Sequence, residues 1–439
     1  MVAVVVACHG GGAGQGSSDA PGPGAPGAGP DAPAGSDAGG LRRISYGTHD
    51  GAIDSEWIYV APGRPNAPIV VIAHGQGTEH IVNCFAAEPP HDPTVKQAVA
   101  LADELAREGY TAVAVMYRNA GEGQPVLPEM RLRDTYLRDA AAVLAAARDV
   151  RDRRGGDGDV PIALVGHSNG TYAAWWAATD RPELAELQRG LAIRTLVLAG
   201  HTANALANLV AVRAAIGSPA KADRQRAILA GTFLAVGAAV EAAGASQVMA
   251  EELEGSSVVA ARLAPLLSPA GVAAFRAAAV TPVVGVGGAC RDGVPAVCDG
   301  GCLQQAFARA ADPGAVADYL SPTLRAAIDA WDPTRFADPG DANPVVAIGR
   351  EISPPFYRGR VRAPRGLVEY SANDHVVVPH GQATRDGTIA ALRTQGASVP
   401  SSPAIATDAH GVCEHGDYWE SARACGYADM LAELHAALD

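Results

Sequence analysis

Val160-Pro161-Ile162-Ala163-Leu164-Val165-Gly166-His167-Ser168-Asn169-Gly170 runs directly into Thr171–Thr179 (TYAAWWAAT), and the reading of this stretch decides the fold. Val160–Val165 is an apolar run of strand length, and Asn169–Thr179 has the composition of a buried helix. Between them stands Gly-x-Ser-x-Gly, a strand-to-helix turn with Ser168 at its apex. The positions two before and two after the serine pack against each other, so both must be tiny, hence Gly166 and Gly170. Strain in such a turn lifts the hydroxyl clear of the sheet. The N-terminus of the following helix then faces negative charge developing on a substrate. A chance Gly-Ser turn would need neither flanking element.

Outward from this turn, short apolar strands alternate with helical segments, the pattern of a mostly parallel sheet. Residues 41–47 and 55–61 read as an opening hairpin, Ile69–Ala73 (IVVIA) as a buried strand and Val95–Glu108 as a helix. Ala112–Tyr117 (AVAVMY) is the next strand, Leu132–Arg153 a long helix and Ile193–Ala199 (IRTLVLA) another strand. The rhythm stops over 202–365, which holds Ala-rich helical stretches, a Cys-rich loop and no clear strand series. It resumes with Leu367–Tyr370, a helix near 380–395, a strand within 398–407 and a final helix from Asp417. Ala227–Val240 is apolar but too short to span a bilayer and reads as a buried helix.

On the turn and its context the chain resembles the α/β-hydrolase family over residues 41–201 and 366–439. That resemblance implies an α/β fold with a mostly parallel central sheet flanked by helices. Residues 202–365 would be a large helical cap inserted between the two core segments. The family's second set of backbone donors follows its third strand, often as His-Gly-x-Gly. Here IVVIA is followed by His74-Gly75-Gln76-Gly77. The oxyanion hole is accordingly expected from the N–H groups of Gln76 and Asn169, with Gly75 as a further donor.

A serine hydroxyl needs a base, and the base an orienting acid. The family order of serine, acid, histidine fits Ser168, Asp374 and His410. Asp374 stands in Ser371-Ala372-Asn373-Asp374-His375-Val376-Val377-Val378-Pro379, which resembles the family's acid loop; the alternative is a turn Asp that caps the next helix. His410, in Ala409-His410-Gly411, precedes the final helix and is favoured as base over His415, five residues on. His375 and His380 lie too near the acid loop to suit the arrangement. Asp374 follows Ser168 by 374 − 168 = 206 residues, a long gap that the insertion fills.

The resemblance implies a serine hydrolase that cleaves a small-molecule carboxylic ester through an acyl-enzyme, with no cofactor. A peptidase or amidase of prolyl-oligopeptidase type shares the fold and the triad order, though no propeller domain is evident. A binding protein that kept the fold and lost activity is the alternative outside enzymes. Ser168 excludes dehalogenase chemistry, which needs Asp at that position.

The net charge is −13 and no basic stripe stands out, so nucleic acid is not an expected partner. Val5-Val6-Ala7-Cys8 resembles a bacterial lipobox, which assigns Cys8 to lipidation and residues 1–8 to a signal segment. A signal peptide has a positively charged start and a longer apolar core, so this reading expects a start codon upstream of Met1. Residues 9–40, rich in Gly, Pro, Ala, Ser and Asp, read as a disordered tether. The implied location is extracytoplasmic, either membrane-attached through Cys8 or secreted. Of seven cysteines six remain after Cys8 (Cys84, Cys290, Cys298, Cys302, Cys413 and Cys425), an even number that suggests disulfides in an exported protein. No paired Cys-x-x-Cys or suitably spaced His accompanies them, so no metal site is expected.

Overall fold

The computed structural model describes residues 39–49, 51–75, 93–116, 132–155, 159–200, 247–249, 264, 267–280, 297–299, 316–330, 344–370, 381–400, 418 and 425–439. Its centre is a seven-stranded sheet. The strands are β1 (Gly40–Gly47), β2 (Ile53–Ala61), β3 (Ile69–Ala73), β4 (Thr111–Met116), β5 (Val160–His167), β6 (Leu191–Ala199) and β9 (Arg365–Glu369). Their order is β1-β2-β4-β3-β5-β6-β9. β3, β4, β5, β6 and β9 run parallel, and β2 is antiparallel to both its neighbours.

Residue types explain the strands. β3 (IVVIA) and β4 (TAVAVM) are buried along their whole length, as expected of parallel strands covered on both faces. β2 instead buries alternate residues, Asp54, Glu56, Ile58 and Val60, the two-residue period of a pleated strand. β1 forms the edge and carries Arg42 and Arg43 on its more exposed half, charges that discourage pairing with another chain.

Helices cover both faces. α1 (Pro93–Arg107) and α8 (Tyr427–Leu438) pack one face, where Leu101, Leu105, Met430 and Leu434 join Val70, Ala112 and Val165 in one core. α2 (Leu132–Arg153) and α3 (Gly170–Ala178) cover the other, with α7 (Gly381–Thr394) alongside. Every residue of α3 is buried. Its two tryptophans satisfy their indole N–H groups: Trp175 Nε1 donates to Gln395 Oε1 at 2.9 Å and Trp176 Nε1 to the Ile352 carbonyl at 3.0 Å. Large aromatic rings can therefore stand in the core without an unpaired donor.

β6 ends at Ala199, β9 starts at Arg365, and the two pair directly, from Thr195↔Arg365 to Ala199↔Glu369. The long excursion between them thus leaves and re-enters at neighbouring strands. Its described parts include α4 (Pro269–Val280), α5 (Pro322–Ala330) and α6 (Pro344–Ile352). Leu267, Leu320, Leu324, Ile328, Val346 and Ile352 belong to the same apolar cluster as α2 and α3. These residues extend the core on that face.

Two details differ from the sequence reading. The excursion contains a short antiparallel ribbon, β7 (Gln247–Met249) with β8 (Val297–Asp299), where no strand was expected; three residues are too few to show a period. The final helix begins at Tyr427 and not at Asp417. Gly426 takes a left-handed φ of 71° at the N-cap, and Tyr418 bridges Cys425 in parallel fashion; Asp417 and residues 419–424 lie outside the described residues. The expected helix over Ala227–Val240 and most of the expected strand within 398–407 lie outside the described residues. Ser398 forms a single parallel bridge to Arg365. No helix among the described residues is long and apolar enough to cross a membrane.

Candidate active site

Ser168 sits where β5 ends and α3 begins, with a φ of 51°. Side chains other than glycine rarely occupy this left-handed region, which costs on the order of 1–3 kcal/mol. The surroundings hold it there. The Ser168 N–H donates to the Ala199 carbonyl at 3.0 Å on one side. The Ser168 carbonyl accepts from the Thr171 N–H at 3.0 Å and from Thr171 Oγ1 at 2.6 Å.

The two glycines of the motif meet steric demands. A Cβ on Gly166 would stand 2.7 Å from the Gly170 carbonyl oxygen and 2.9 Å from the Ala174 Cβ. A Cβ on Gly170 would collide with the backbone of Ala73 and His74 at the end of β3. This second contact draws the two expected elements together. Gly75 follows directly, and a Cβ there would lie 3.2 Å from Ser168 Cβ and 3.7 Å from Ser168 Oγ. The Gly-rich exit of β3 is therefore stacked on the serine.

Ser168 is 9% exposed, and His74, His167 and Asn169 beside it are buried. His74 Nδ1 donates to the Gly75 carbonyl. The His167 ring lies 5.6 Å from that of Tyr418. Asn169 is the N-cap of α3 but makes no side-chain cap bond, and no hydrogen bond engages its N–H among the described residues. That donor lies directly after the serine, at the positive end of a buried helix.

The structure thus brings together Ser168, Asn169 and Gly75. Asp374, His410, the rival His415, Gln76 and Cys8 lie outside the described residues. Reading the sequence passed over two features at this end of the sheet, Glu369 and Tyr418. Glu369, the last residue of β9, is fully buried; a lone carboxylate inside an apolar strand (RGLVE) was the signal. Tyr418 packs on His167, with no sequence signal. Cys425 is buried and disulfide-bonded.

A second buried polar group lies three strands away from β5. Trp57 pairs with Met116, the last residue of β4, so Asp54 and Glu56 stand beyond the end of that strand. They pack with Tyr46, Arg138 and Asp139, all buried, and Arg138 reaches Asp54 at 3.8 Å. Burial pushes the Glu56 carboxyl well above its usual range, with Asp54 and Asp139 adding to the rise and Arg43 opposing it. Burial likewise raises the Tyr46 phenol. Among the described residues no cluster of His, Cys, Asp or Glu could hold a metal ion. A groove of about 1170 Å³ runs along β1 against the C-terminal half of α2, from Tyr46 to Asn66 and Arg154. Its charges answer one another, as Arg153 does Asp149 at 3.0 Å.

Comparison with known proteins gives the fold a second support. No family model and no curated protein matches the chain. Among solved structures, the rice cell wall degrading esterase LipA from Xanthomonas oryzae is similar with a TM-score of 0.52 at 15% identity; 91% of this chain and 88% of that chain are covered. A ligand-bound form of the same esterase gives 0.52 at 16% identity over the same shares. Candida antarctica lipase A gives 0.49 at 14% identity, over 85% of this chain and 72% of that one. At this identity the likeness to LipA concerns architecture, and the architecture is the α/β-hydrolase fold.

Proposed function

We propose that the protein is a serine hydrolase that cleaves carboxylic esters. The observation that carries this reading is Ser168 at a φ of 51°, with Gly75 stacked on its side chain. A strained, non-glycine residue over-determined by its surroundings is the mark of a functional position. The architecture shared with an esterase supports the same reading.

In this mechanism Ser168 Oγ attacks the ester carbonyl while His410 takes the hydroxyl proton, and Asp374 orients the imidazole. The carbonyl oxygen becomes an oxyanion, held by the N–H of Asn169 and by those of Gln76 and Gly75. Each such donor contributes about 2.7–4 kcal/mol to lowering the barrier. Collapse expels the alcohol, protonated by His410, and leaves Ser168 acylated. Water, deprotonated by His410, then releases the acid and restores the serine. A fluorophosphonate probe tests the reading: it should label Ser168 in the native protein and leave the denatured protein unlabelled. A native protein that resists the probe would return the chain to the class of binding proteins.

The reading extends to location. A Cys8 lipid anchor with 9–40 as tether would hold the domain outside the cytoplasm, where disulfides such as that of Cys425 persist. β1 starts at Gly40, paired with Val60 near the beginning of β4. The tether would therefore enter at the sheet end opposite Ser168 and leave the catalytic mouth facing away from the membrane.

A further inference from the structure

The mechanism above takes from Asn169 only its backbone N–H and leaves its side chain unused. The residue is 4% exposed, and its Oδ1 is out of reach of water and accepts no hydrogen bond. Nor does the side chain cap α3, although asparagine is a favoured N-cap. The reason is local. Asn169 has a φ of −59° and a ψ of −29°, already helical, whereas a capping residue is extended and turns its side chain back to the next N–H groups.

Its neighbours on the helix are treated differently. Thr171 Oγ1 donates to the Ser168 carbonyl, Trp175 Nε1 to Gln395 and Trp176 Nε1 to Ile352. A buried acceptor without a donor is destabilising, and an apolar side chain of the same shape would suit the fold better. Asn169 is thus a costly choice at the position directly after a strained nucleophile, where local costs mark function.

The direction of the side chain follows from the helix. In helical backbone the Cα–Cβ bond leans toward the helix N-terminus. That end of α3 is at Ser168, so Asn169 leans its carboxamide toward the hydroxyl and the oxyanion donors. Gly75 stands at this same end, against the side chain of Ser168. An acceptor placed here requires a donor from the substrate. The ester carbonyl, the alkoxy oxygen and the developing oxyanion are all acceptors and cannot supply one. The carbon next to the carbonyl is the nearest position on the acyl side that can carry a donor.

We propose that the Asn169 side chain determines specificity: Oδ1 accepts a hydrogen bond from a hydroxyl on the carbon next to the ester carbonyl. The preferred substrates are then 2-hydroxy esters whose remaining acyl chain is apolar. This rests on the esterase reading above and deepens it.

The test uses the full chain and a matched pair, methyl 2-hydroxybutyrate (each enantiomer) and methyl butyrate, followed by pH-stat. The kcat/KM ratio of the pair is divided by the ratio for hydroxide-catalysed hydrolysis, which removes intrinsic reactivity. Wild type should prefer the faster hydroxy enantiomer by about ten- to hundredfold. Asn169→Leu, similar in size but without an acceptor, should bring the ratio down to about one. Asn169→Asp keeps an acceptor and should keep the preference, while slowing both esters because its charge opposes the oxyanion. Should Asn169→Leu fail to fold, Asn169→Ala serves in its place. A wild type without the preference would overturn the proposal. So would a preference that survives in Asn169→Leu, even with both rates lowered, because the side chain would then act on the chemistry or the fold alone. Loss of the preference in Asn169→Asp would overturn it as well. Serines titrated by a fluorophosphonate are counted in parallel: a wild type with none would instead defeat the esterase reading, and this proposal with it.

Discussion

The backbone N–H of Ser168 donates to the carbonyl oxygen of Ala199 at 3.0 Å, which ties the turn bearing the hydroxyl to the last residue of β6. On its other side the turn meets β3, because Gly170 has no side chain to hold the Ala73 and His74 backbone away. The strained residue is thus gripped from both neighbouring strands. A hydroxyl held this way does not reorganise as it attacks, which is the condition for electrostatic preorganisation.

Ser168→Ala should abolish turnover of a short p-nitrophenyl ester and leave the circular dichroism spectrum unchanged. Ser168→Gly should be equally inactive but more stable than Ser168→Ala by about 1 kcal/mol, since glycine enters the left-handed region without the Cβ penalty. Urea denaturation of the pair measures the difference. Residual wild-type activity in folded Ser168→Ala would sink the assignment.

His410→Ala should lower kcat by several orders of magnitude, as loss of a triad member does, and His415→Ala far less. Initial rates on the same ester rank the two. The reverse ranking would move the base to His415 and leave the nucleophile standing.

Much of the frame was legible because burial leaves its mark on strands. IVVIA and TAVAVM are buried on both faces and show it as unbroken apolar runs. The serine turn was legible because its glycines answer a steric demand that any such turn makes. Other features depend on contacts between distant residues. The described start of the last helix is one: Tyr427 follows Gly426, whose φ of 71° lies where the Glu369 carboxylate packs. Asp54 and Glu56 turn inward along β2 because Tyr46, Arg138 and Asp139 meet them there. Strand alternation alone cannot say which face will find such partners.

The inward-facing Glu56 predicts a pH dependence. Its carboxyl titrates above the ordinary value in the folded protein, chiefly through burial and then through Asp54 and Asp139. Between the unfolded and folded values the native state binds more protons, so stability falls as pH rises through that window. Glu56→Gln removes the titration. Its stability relative to wild type should therefore grow from acid toward alkaline pH, read as Tm against pH for both proteins. Parallel curves would show that Glu56 titrates alike in both states.

Cys425 is disulfide-bonded, and an exported chain should follow suit at its other cysteines beyond Cys8. Titration of thiols in denaturing, non-reducing buffer should find few or none among the six beyond Cys8. Six titratable thiols would argue for a reducing compartment and against lipidation of Cys8.

The last prediction concerns substrate. In α/β sheets of this kind ligands bind beyond the C-terminal ends of the strands, where Ser168 stands. The chain between β6 and β9 leaves from that same end, since Ala199 closes β6 there. Part of it (RAILAGTFLAVGAAVEAA, 226–243) is rich in Ala, Leu and Val. The excursion also supplies Leu320, Leu324 and Ile328 to the core under α2 and α3. Some of its apolar surface is therefore spent on packing, and we propose that 226–243, which lies outside the described residues, lends apolar side chains to an acyl pocket. On this reading the enzyme favours apolar, medium-length carboxylic esters over charged or polymeric ones. A p-nitrophenyl ester series of increasing acyl length, run beside aminoacyl-nitroanilides, should show kcat/KM rising to a maximum at intermediate length. A flat profile would remove the role given to the excursion, and nitroanilides cleaved faster than every ester would make the enzyme a peptidase.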